Sequence, residues 1–139
     1  RLRLGLSLPV FEDGEETRDF VHVEDVARAV LGFIEAPAEL GALANVGYGR
    51  PTSIMQVATV LARFMGSEIV PHVSEQYRVG DIRHNYADLS VLEAMIGLRP
   101  EISLEEGLAR FCAWVSTQPV PKDMLDKANA ELKVRNLMG

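Results

Sequence analysis

Cysteine is almost absent from the 139-residue sequence, because Cys112 is the only one, and an internal disulfide is therefore impossible. Long apolar runs are absent as well, since no stretch approaches the roughly 18 residues that a membrane-spanning helix requires. We recognise no signal peptide, so we expect no membrane association and a cytoplasmic location. Cys112 itself lies in an apolar helical pattern, which predicts a buried and unreactive thiol.

Basic residues are in the minority. The 14 Lys and Arg residues are outnumbered by 20 Asp and Glu residues, which gives a formal net charge of -6. Nonspecific nucleic-acid binding requires a basic surface, so no nucleic-acid partner is expected. A local basic pocket remains compatible with this balance.

The motifs of several common catalytic sites are also missing. The spacing of His22, His72 and His84 is not that of metal ligands, and there is no second cysteine to complete a zinc site. Gly47-Tyr48-Gly49 is not the Gly-x-Gly-x-x-Gly loop of dinucleotide binding and favours a turn. The Gly-x-Ser-x-Gly element is absent, and paired carboxylates such as Glu15-Glu16 are explained by capping and solvation. We predict no catalytic, cofactor-binding or metal site.

The most informative stretch that is present runs from Arg78 to His84. Arg78 and Arg83 are charged at any physiological pH, and a guanidinium fits a phosphate through two parallel hydrogen bonds. Asp81 is an acceptor of the kind that holds a pair of ribose hydroxyls. The stretch therefore predicts a site that holds a nucleoside diphosphate. The alternative is a surface loop in which these charges pair with each other.

A third arginine, Arg18, lies well before this stretch. It either supplies the other half of a phosphate clamp or pairs on the surface with the adjacent Asp19 or with a glutamate.

The order of predicted elements indicates an α/β protein. Capping boxes at Ser53 and Ser103 each mark the start of a helix, and Glu24 and Asp25 suit the first turn of another. Short strands are predicted over 8–11, 17–23, 41–46 and 68–73, and helices over 24–36, 53–65, 89–96, 103–117 and 122–137. So few strands are insufficient for a free-standing parallel sheet, so we expect an incomplete sheet with flanking helices and a missing partner domain.

Three segments together carry a family resemblance. Pro9 to Ala27 contains the run Thr-Arg-Asp-Phe-Val-His-Val, Asn45 to Gly49 follows, and Arg78 to His84 precedes Gly97-Leu98-Arg99-Pro100. In order and spacing, residues 8–116 resemble the C-terminal, substrate-binding part of Rossmann-type extended short-chain dehydrogenases/reductases. This is the NAD-dependent epimerase/dehydratase group acting on nucleotide sugars. UDP-glucose 4-epimerases and dTDP-rhamnose 4-epimerase-like proteins are the most similar subgroups.

The resemblance implies roles for particular residues. Arg18 and Arg78 would contact the pyrophosphate of a UDP- or dTDP-sugar, and Asp81 would hold its ribose. Val10 and Phe11 would lie against the base, and Arg83 is a further candidate for substrate contact. Residues 1–117 would then form the nucleotide-sugar-binding lobe, and residues 118–139 a charged helix that either docks or frays as a tail.

The departures from the family pattern limit what we expect of the chain alone. The Gly-rich NAD loop and the Tyr-x-x-x-Lys pair are absent, because Tyr48, Tyr77 and Tyr86 have no lysine four residues later. The complete family enzymes use NAD, but none is expected to bind this chain alone, and we expect no catalysis without a missing half.

The function predicted is therefore that of a substrate-binding fragment of an epimerase. The alternatives are a non-catalytic structural or interaction module, or the same lobe of a dehydratase or reductase. Because such a lobe would expose apolar helix faces, we expect self-association or association with the missing N-terminal half.

Overall fold

A computed structural model describes residues 1–37 and 43–139. After a short 3-10 helix, Leu2–Leu4, its strands and helices alternate, which confirms the predicted α/β class. The strands are β1 (Pro9–Val10), β2 (Thr17–Asp19), β3 (Pro51–Ser53) and β4 (His72–Val73). The helices are α1 (Val23–Glu35), α2 (Ile54–Phe64), α3 (Ser90–Ile96), α4 (Leu104–Thr117) and α5 (Leu125–Val134).

In the described residues the strands form two separate pairs. These two pairs correspond to the incomplete sheet that the sequence predicted. β1 and β4 are parallel, with Val10 opposite Val73, and β2 and β3 are antiparallel, with Arg18 opposite Thr52. A third segment runs beside β2, because Thr17 exchanges backbone hydrogen bonds of 2.9 and 3.1 Å with Arg83 and Asn85. This pairing brings the second half of the Arg78 to His84 stretch next to Arg18.

The strand boundaries differ from the predicted ones. β2 ends at Asp19, whereas the predicted strand extended to Val23, the residue at which α1 begins. β4 keeps only His72–Val73, because Pro71 has no N–H to donate. Residues 43–46 do not form the predicted buried strand, and Leu43 is 92% exposed. The first part of that prediction, Gly41 and Ala42, lies outside the described residues. β3 was not predicted.

The helix starts agree closely with the capping signals. Ser53 Oγ accepts a hydrogen bond of 3.1 Å from Gln56 N, and Ser103 Oγ accepts one of 3.2 Å from Glu106 N. Helix α3 begins at Ser90, one residue later than predicted, and Asp88 Oδ1 accepts a hydrogen bond of 2.9 Å from Ser90 N. That bond to a backbone N–H lowers the pKa of Asp88.

A small core lies between α2 and α4 and beneath β1. Its apolar members include Val10, Val57, Ala58, Val60, Ala62, Leu92 and Cys112. Cys112 is buried as predicted, and burial raises the pKa of its thiol.

Helix α1 leaves its apolar face exposed, as expected of an isolated lobe. Val23 and Ile34 are 72% and 71% exposed, whereas Asp25 and Ala29 are fully buried. The carboxylate of Asp25 explains this orientation, because its oxygens accept hydrogen bonds from the backbone N–H groups of Glu101 and Ile102 at 3.0–3.2 Å. Asp25 therefore anchors α1 to the segment before α4. The apolar stripe of α1, which includes Val23, Val30, Leu31 and Ile34, stays exposed.

Residues 118–139 contact other parts of the chain at two places. Arg1 forms a salt bridge with Asp123. Beyond α5, residues 137–139 pair with residues 77–79 through backbone hydrogen bonds. Among the described residues, no helix is long and apolar enough to cross a membrane.

Candidate functional site

A cavity of about 340 Å³ opens between β1, β2 and the segment around Arg78. Five of the six predicted substrate-binding residues line it: Val10, Phe11, Arg18, Arg78 and Asp81. Pro9, Glu12, Glu16 and Ile54 complete the lining. Residues that are far apart in sequence thus meet in one cavity, and Arg83 is the only predicted residue outside its lining.

Backbone contacts explain this convergence. Val10 lies in β1 and Arg18 in β2, so two strands fix two of the walls. Glu12 N donates to Gln76 O at 2.7 Å, which holds the Arg78 segment against the end of β1. The turn after Phe11 closes through a hydrogen bond from Gly14 N to Phe11 O at 3.1 Å.

The side chain of Arg78 lies over an aromatic ring rather than beside a carboxylate. Its guanidinium carbon is 4.7 Å from the centroid of the Phe11 ring, which is within the range of a cation–π contact. Within residues 1–37 and 43–139, Arg78 takes part in no salt bridge. The alternative in which Arg78 pairs with the neighbouring charges is thus not what the structure shows.

Arg18 has a different carboxylate partner from the one considered at the sequence level. Its Nη2 donates to Asp81 Oδ1 at 2.6 Å, and its Nη1 donates to Thr17 O at 2.9 Å. Asp19 is occupied elsewhere, because it accepts from the N–H groups of Tyr48, Gly49 and Ala87. Arg18 and Asp81 therefore form one charged unit on the cavity wall.

Arg83 organises the loop behind the cavity. Its guanidinium donates to Glu12 Oε2 at 3.2 Å and Asp13 Oδ2 at 2.6 Å, and it lies 4.0 Å from Glu16 Oε1. The hydrogen bond from Arg83 lowers the pKa of Asp13. These contacts use the guanidinium for carboxylates of the chain itself, two of which, Glu12 and Glu16, line the cavity.

Glu16 is a buried carboxyl group in the lining that the sequence did not predict as a site residue. It was explained by solvation, but it is only 4% exposed, and its Oε1 has no hydrogen-bond partner among the described residues. Burial raises the pKa of Glu16, and the nearby Glu12 and Asp13 act in the same direction. A buried carboxyl group with an unsatisfied oxygen is costly. No local sequence signal distinguishes it from its exposed neighbour Glu15.

A further cavity of about 560 Å³ lies between residues 20–24 and α4. Its walls are mainly apolar and include Phe20, Phe111 and Trp114, the last of which is 59% exposed. None of the six predicted substrate-binding residues lines this groove. It is an open apolar surface rather than a second charged site.

Comparisons with known proteins agree with the motifs. The family described as NAD dependent epimerase/dehydratase matches residues 1–47. The dTDP-L-rhamnose 4-epimerase of Burkholderia thailandensis is 37% identical over 111 residues, which are 80% of this chain and 30% of that protein. The chain thus spans less than a third of this relative.

Solved structures show the same fold. A UDP-glucose 4-epimerase of Thermotoga maritima, determined with UDP-glucose, superposes with a TM-score of 0.76 at 33% identity, over 84% of this chain and 37% of that one. MoeE5, determined with UDP-glucuronic acid and NAD, gives a TM-score of 0.73 at 29% identity, over 81% of this chain and 38% of that one.

The fold is therefore that of part of a Rossmann-type extended short-chain dehydrogenase/reductase. The resemblance inferred from the motifs is confirmed: part of the chain matches the NAD-dependent epimerase/dehydratase family, and its relatives and solved structural neighbours include nucleotide-sugar 4-epimerases.

Proposed function

We propose that this chain binds the nucleoside diphosphate part of a UDP- or dTDP-sugar, as the substrate-binding part of an NAD-dependent nucleotide-sugar epimerase. The observation that carries the proposal is the convergence of Val10, Phe11, Arg18, Arg78 and Asp81 on one cavity. A volume of about 340 Å³ lies within the usual range for small-molecule sites.

The phosphates are assigned to the two arginines. Arg78 makes no salt bridge within the described chain, so its planar fork is available for bidentate contact with a phosphate. One nitrogen of Arg18, Nη2, donates a hydrogen bond to Asp81. A guanidinium has five N–H donors, so Arg18 keeps further N–H groups that can donate to a phosphate. Both arginines line the cavity, so both guanidinium groups can contact a pyrophosphate held there.

The nucleoside is assigned to the remaining lining residues. Asp81 Oδ1 accepts from Arg18 and from Ile82 N, which leaves Oδ2 to accept from ribose hydroxyls. Val10, only 3% exposed, and Phe11 offer an apolar wall for a pyrimidine base. Arg83 then acts indirectly, by holding Glu12 and Asp13 in the loop beside the site.

The residues present do not fit NAD. The sequence has neither a Gly-x-Gly-x-x-Gly loop between a strand and a helix nor a Tyr-x-x-x-Lys pair. We therefore assign no hydride or proton transfer to this chain, and epimerisation belongs to a protein that supplies those groups as well.

Calorimetric titration of the purified chain with UDP, dTDP and NAD tests the proposal. We expect a nucleoside diphosphate to bind and NAD not to bind. Arg78→Ala should weaken binding by at least about ten-fold, the usual range for a hydrogen bond to a charged group. Arg50→Ala is the matched control, since Arg50 also lies over an aromatic ring, Tyr48, but outside the cavity. A folded chain that binds neither diphosphate, or binds one equally well without Arg78, would refute the proposal.

A second candidate function is that of a non-catalytic interaction module. It is favoured by the exposed apolar stripe of α1, which includes Val23, Val30, Leu31 and Ile34. Under this function the stripe binds a second copy or another chain, and Arg78→Ala changes nothing. Light scattering of the isolated chain tests it, because a monomer at all concentrations would count against a stripe that drives association.

A further inference from the structure

The segment that carries Arg78 is held from two sides. On one side Glu12 N donates to Gln76 O at 2.7 Å. On the other side lie residues 137–139: Tyr77 and Gly139 exchange hydrogen bonds of 3.0 and 3.1 Å, and Val79 N donates to Leu137 O at 3.0 Å. Three of these four hydrogen bonds thus come from the segment that follows α5.

Arg78 and Met138 are directly opposite each other in this antiparallel pairing. The hydrogen bonds flank them at residues 77 and 79, so they form a non-hydrogen-bonded pair, in which opposed side chains lie closest and on the same face. Met138 is only 7% exposed, whereas Arg78 is exposed at the cavity. The buried Met138 is therefore the residue paired with the exposed, charged Arg78.

The path of the chain after α5 makes this pairing possible. Leu137 N donates to Leu132 O at 2.9 Å, and Asn136 has a left-handed φ of 55°. This reversal turns residues 137–139 back toward the cavity. Asn tolerates that conformation better than most residues.

We infer that residues 137–139, which we name the strap, position Arg78 for phosphate binding, with Met138 as the positioning residue. The inference rests on the proposed function. The segment from Ser74 to Ile82 contains no helix or strand, and Gly80 within it has a φ of 82°. Without the strap this segment would have more conformations to lose when a ligand binds, and that ordering lowers affinity.

Two variants test the strap by different routes. Met138→Ala keeps every backbone hydrogen bond and removes the side chain opposite Arg78. Gly139→Pro removes the N–H that donates to Tyr77 O, and any Cβ at this position would lie 2.5 Å from the Tyr77 ring. Val134→Ala is the matched control, because Val134 lies at the end of α5 and is 84% exposed.

The measurement is calorimetric titration of each full-length variant with UDP, with circular dichroism to establish that the fold is kept. We expect Gly139→Pro to weaken UDP binding about five-fold, because it loses one net hydrogen bond. We expect a similar effect of about five-fold from Met138→Ala, because Arg78 would then have to be ordered when the ligand binds. Val134→Ala should leave binding unchanged. In an Arg78→Ala background, Met138→Ala should have no further effect on affinity, which a merely structural role would not produce.

The outcomes separate the two proposals. If UDP binds and requires Arg78, but the strap variants bind UDP as tightly as the unchanged chain does, the positioning role of the strap is refuted. The proposed function is then retained. If the folded chain binds neither UDP nor dTDP, the proposed function is overturned and the role of the strap falls with it. Should Gly139→Pro not fold, Met138→Ala carries the test, since it leaves the backbone pairing intact.

Discussion

The guanidinium carbon of Arg78 lies 4.7 Å from the centroid of the Phe11 ring, and both residues line the same cavity. Phe11 immediately follows β1, whereas Arg78 lies in a segment without helix or strand. The ring therefore gives an irregular segment a fixed surface against which to hold its charge. The contact also keeps the guanidinium near the cavity without a carboxylate that would compete with a phosphate.

Replacing Phe11 with leucine should weaken nucleoside diphosphate binding about two- to five-fold, because the apolar bulk is kept while the cation–π contact is lost. Titration with UDP measures the change. Phe64→Leu is the control, since Arg63 lies 5.0 Å above the Phe64 ring in a similar contact outside the cavity. Equal affinities in the two variants would show that the Phe11 ring does not hold Arg78 for binding.

Asp25→Ala should lower the free energy of unfolding by roughly 2–4 kcal/mol, because it leaves the partly buried N–H groups of Glu101 and Ile102 without their carboxylate acceptor. Asp25 is fully buried and also accepts from Arg28 at 3.0 Å. Urea denaturation measures the change. The neighbouring Glu24→Ala removes an exposed pair with Arg110 and should have almost no effect. A similarly small effect of Asp25→Ala would refute its role as the anchor of α1.

Asp19 and Asp25 show how far sequence reasoning extends. Helix starts at Ser53 and Ser103 were predictable because a capping signal is local. Asp19 and Asp25 were not recognised, because each accepts from backbone N–H groups that lie 29 to 77 residues away. The cavity was predictable through the family resemblance, which identifies distant residues as neighbours. Glu16 and Met138 were missed because burial and the return path of residues 137–139 depend on tertiary structure alone.

Gly47→Ala should destabilise the chain by roughly 2–3 kcal/mol. A Cβ at Gly47 would lie 2.3 Å from Asp19 Oδ2 and 2.6 Å from Ala87 Cβ, so the carboxylate would have to leave the N–H groups that it holds. Gly66→Ala is the control, because its Cβ would meet nothing within 4 Å and only its φ of 60° is strained. Thermal unfolding compares the two. If Gly66→Ala destabilised the chain more than Gly47→Ala does, the close contact of Gly47 with Asp19 and Ala87 would be refuted as the dominant effect.

The apolar stripe of α1 predicts self-association of the isolated chain. The double substitution Leu31→Gln and Ile34→Gln removes two exposed apolar side chains, 56% and 71% exposed, without touching the buried Asp25 and Ala29. Because exposed apolar patches favour association, we expect the average mass in light scattering to fall toward that of a monomer. Val134→Gln controls for an isolated exposed apolar residue on α5. An unchanged mass would exclude the stripe as the interface.

Glu16→Gln should change how stability depends on pH. Burial, with the charges of Glu12 and Asp13, raises the pKa of Glu16 above its ordinary value of 4.5, so the folded chain holds this proton more tightly than the unfolded chain does. A raised pKa in the folded state stabilises the fold below pH 4.5, and this contribution is lost as the pH rises through the folded-state pKa. The unchanged chain should therefore lose stability relative to Glu16→Gln as the pH rises above 4.5.

Urea midpoints measured from about pH 4 to pH 8 test this dependence, a range that spans the titration of an ordinary or moderately shifted carboxyl group. Glu15→Gln is the control, because Glu15 is exposed and next in sequence. Glu16→Gln also removes a negative charge from the lining of the proposed phosphate site, so it should tighten UDP binding at neutral pH. Parallel stability profiles for Glu16→Gln and the unchanged chain would mean that Glu16 keeps an ordinary pKa, and that solvent rather than the cavity satisfies its carboxylate.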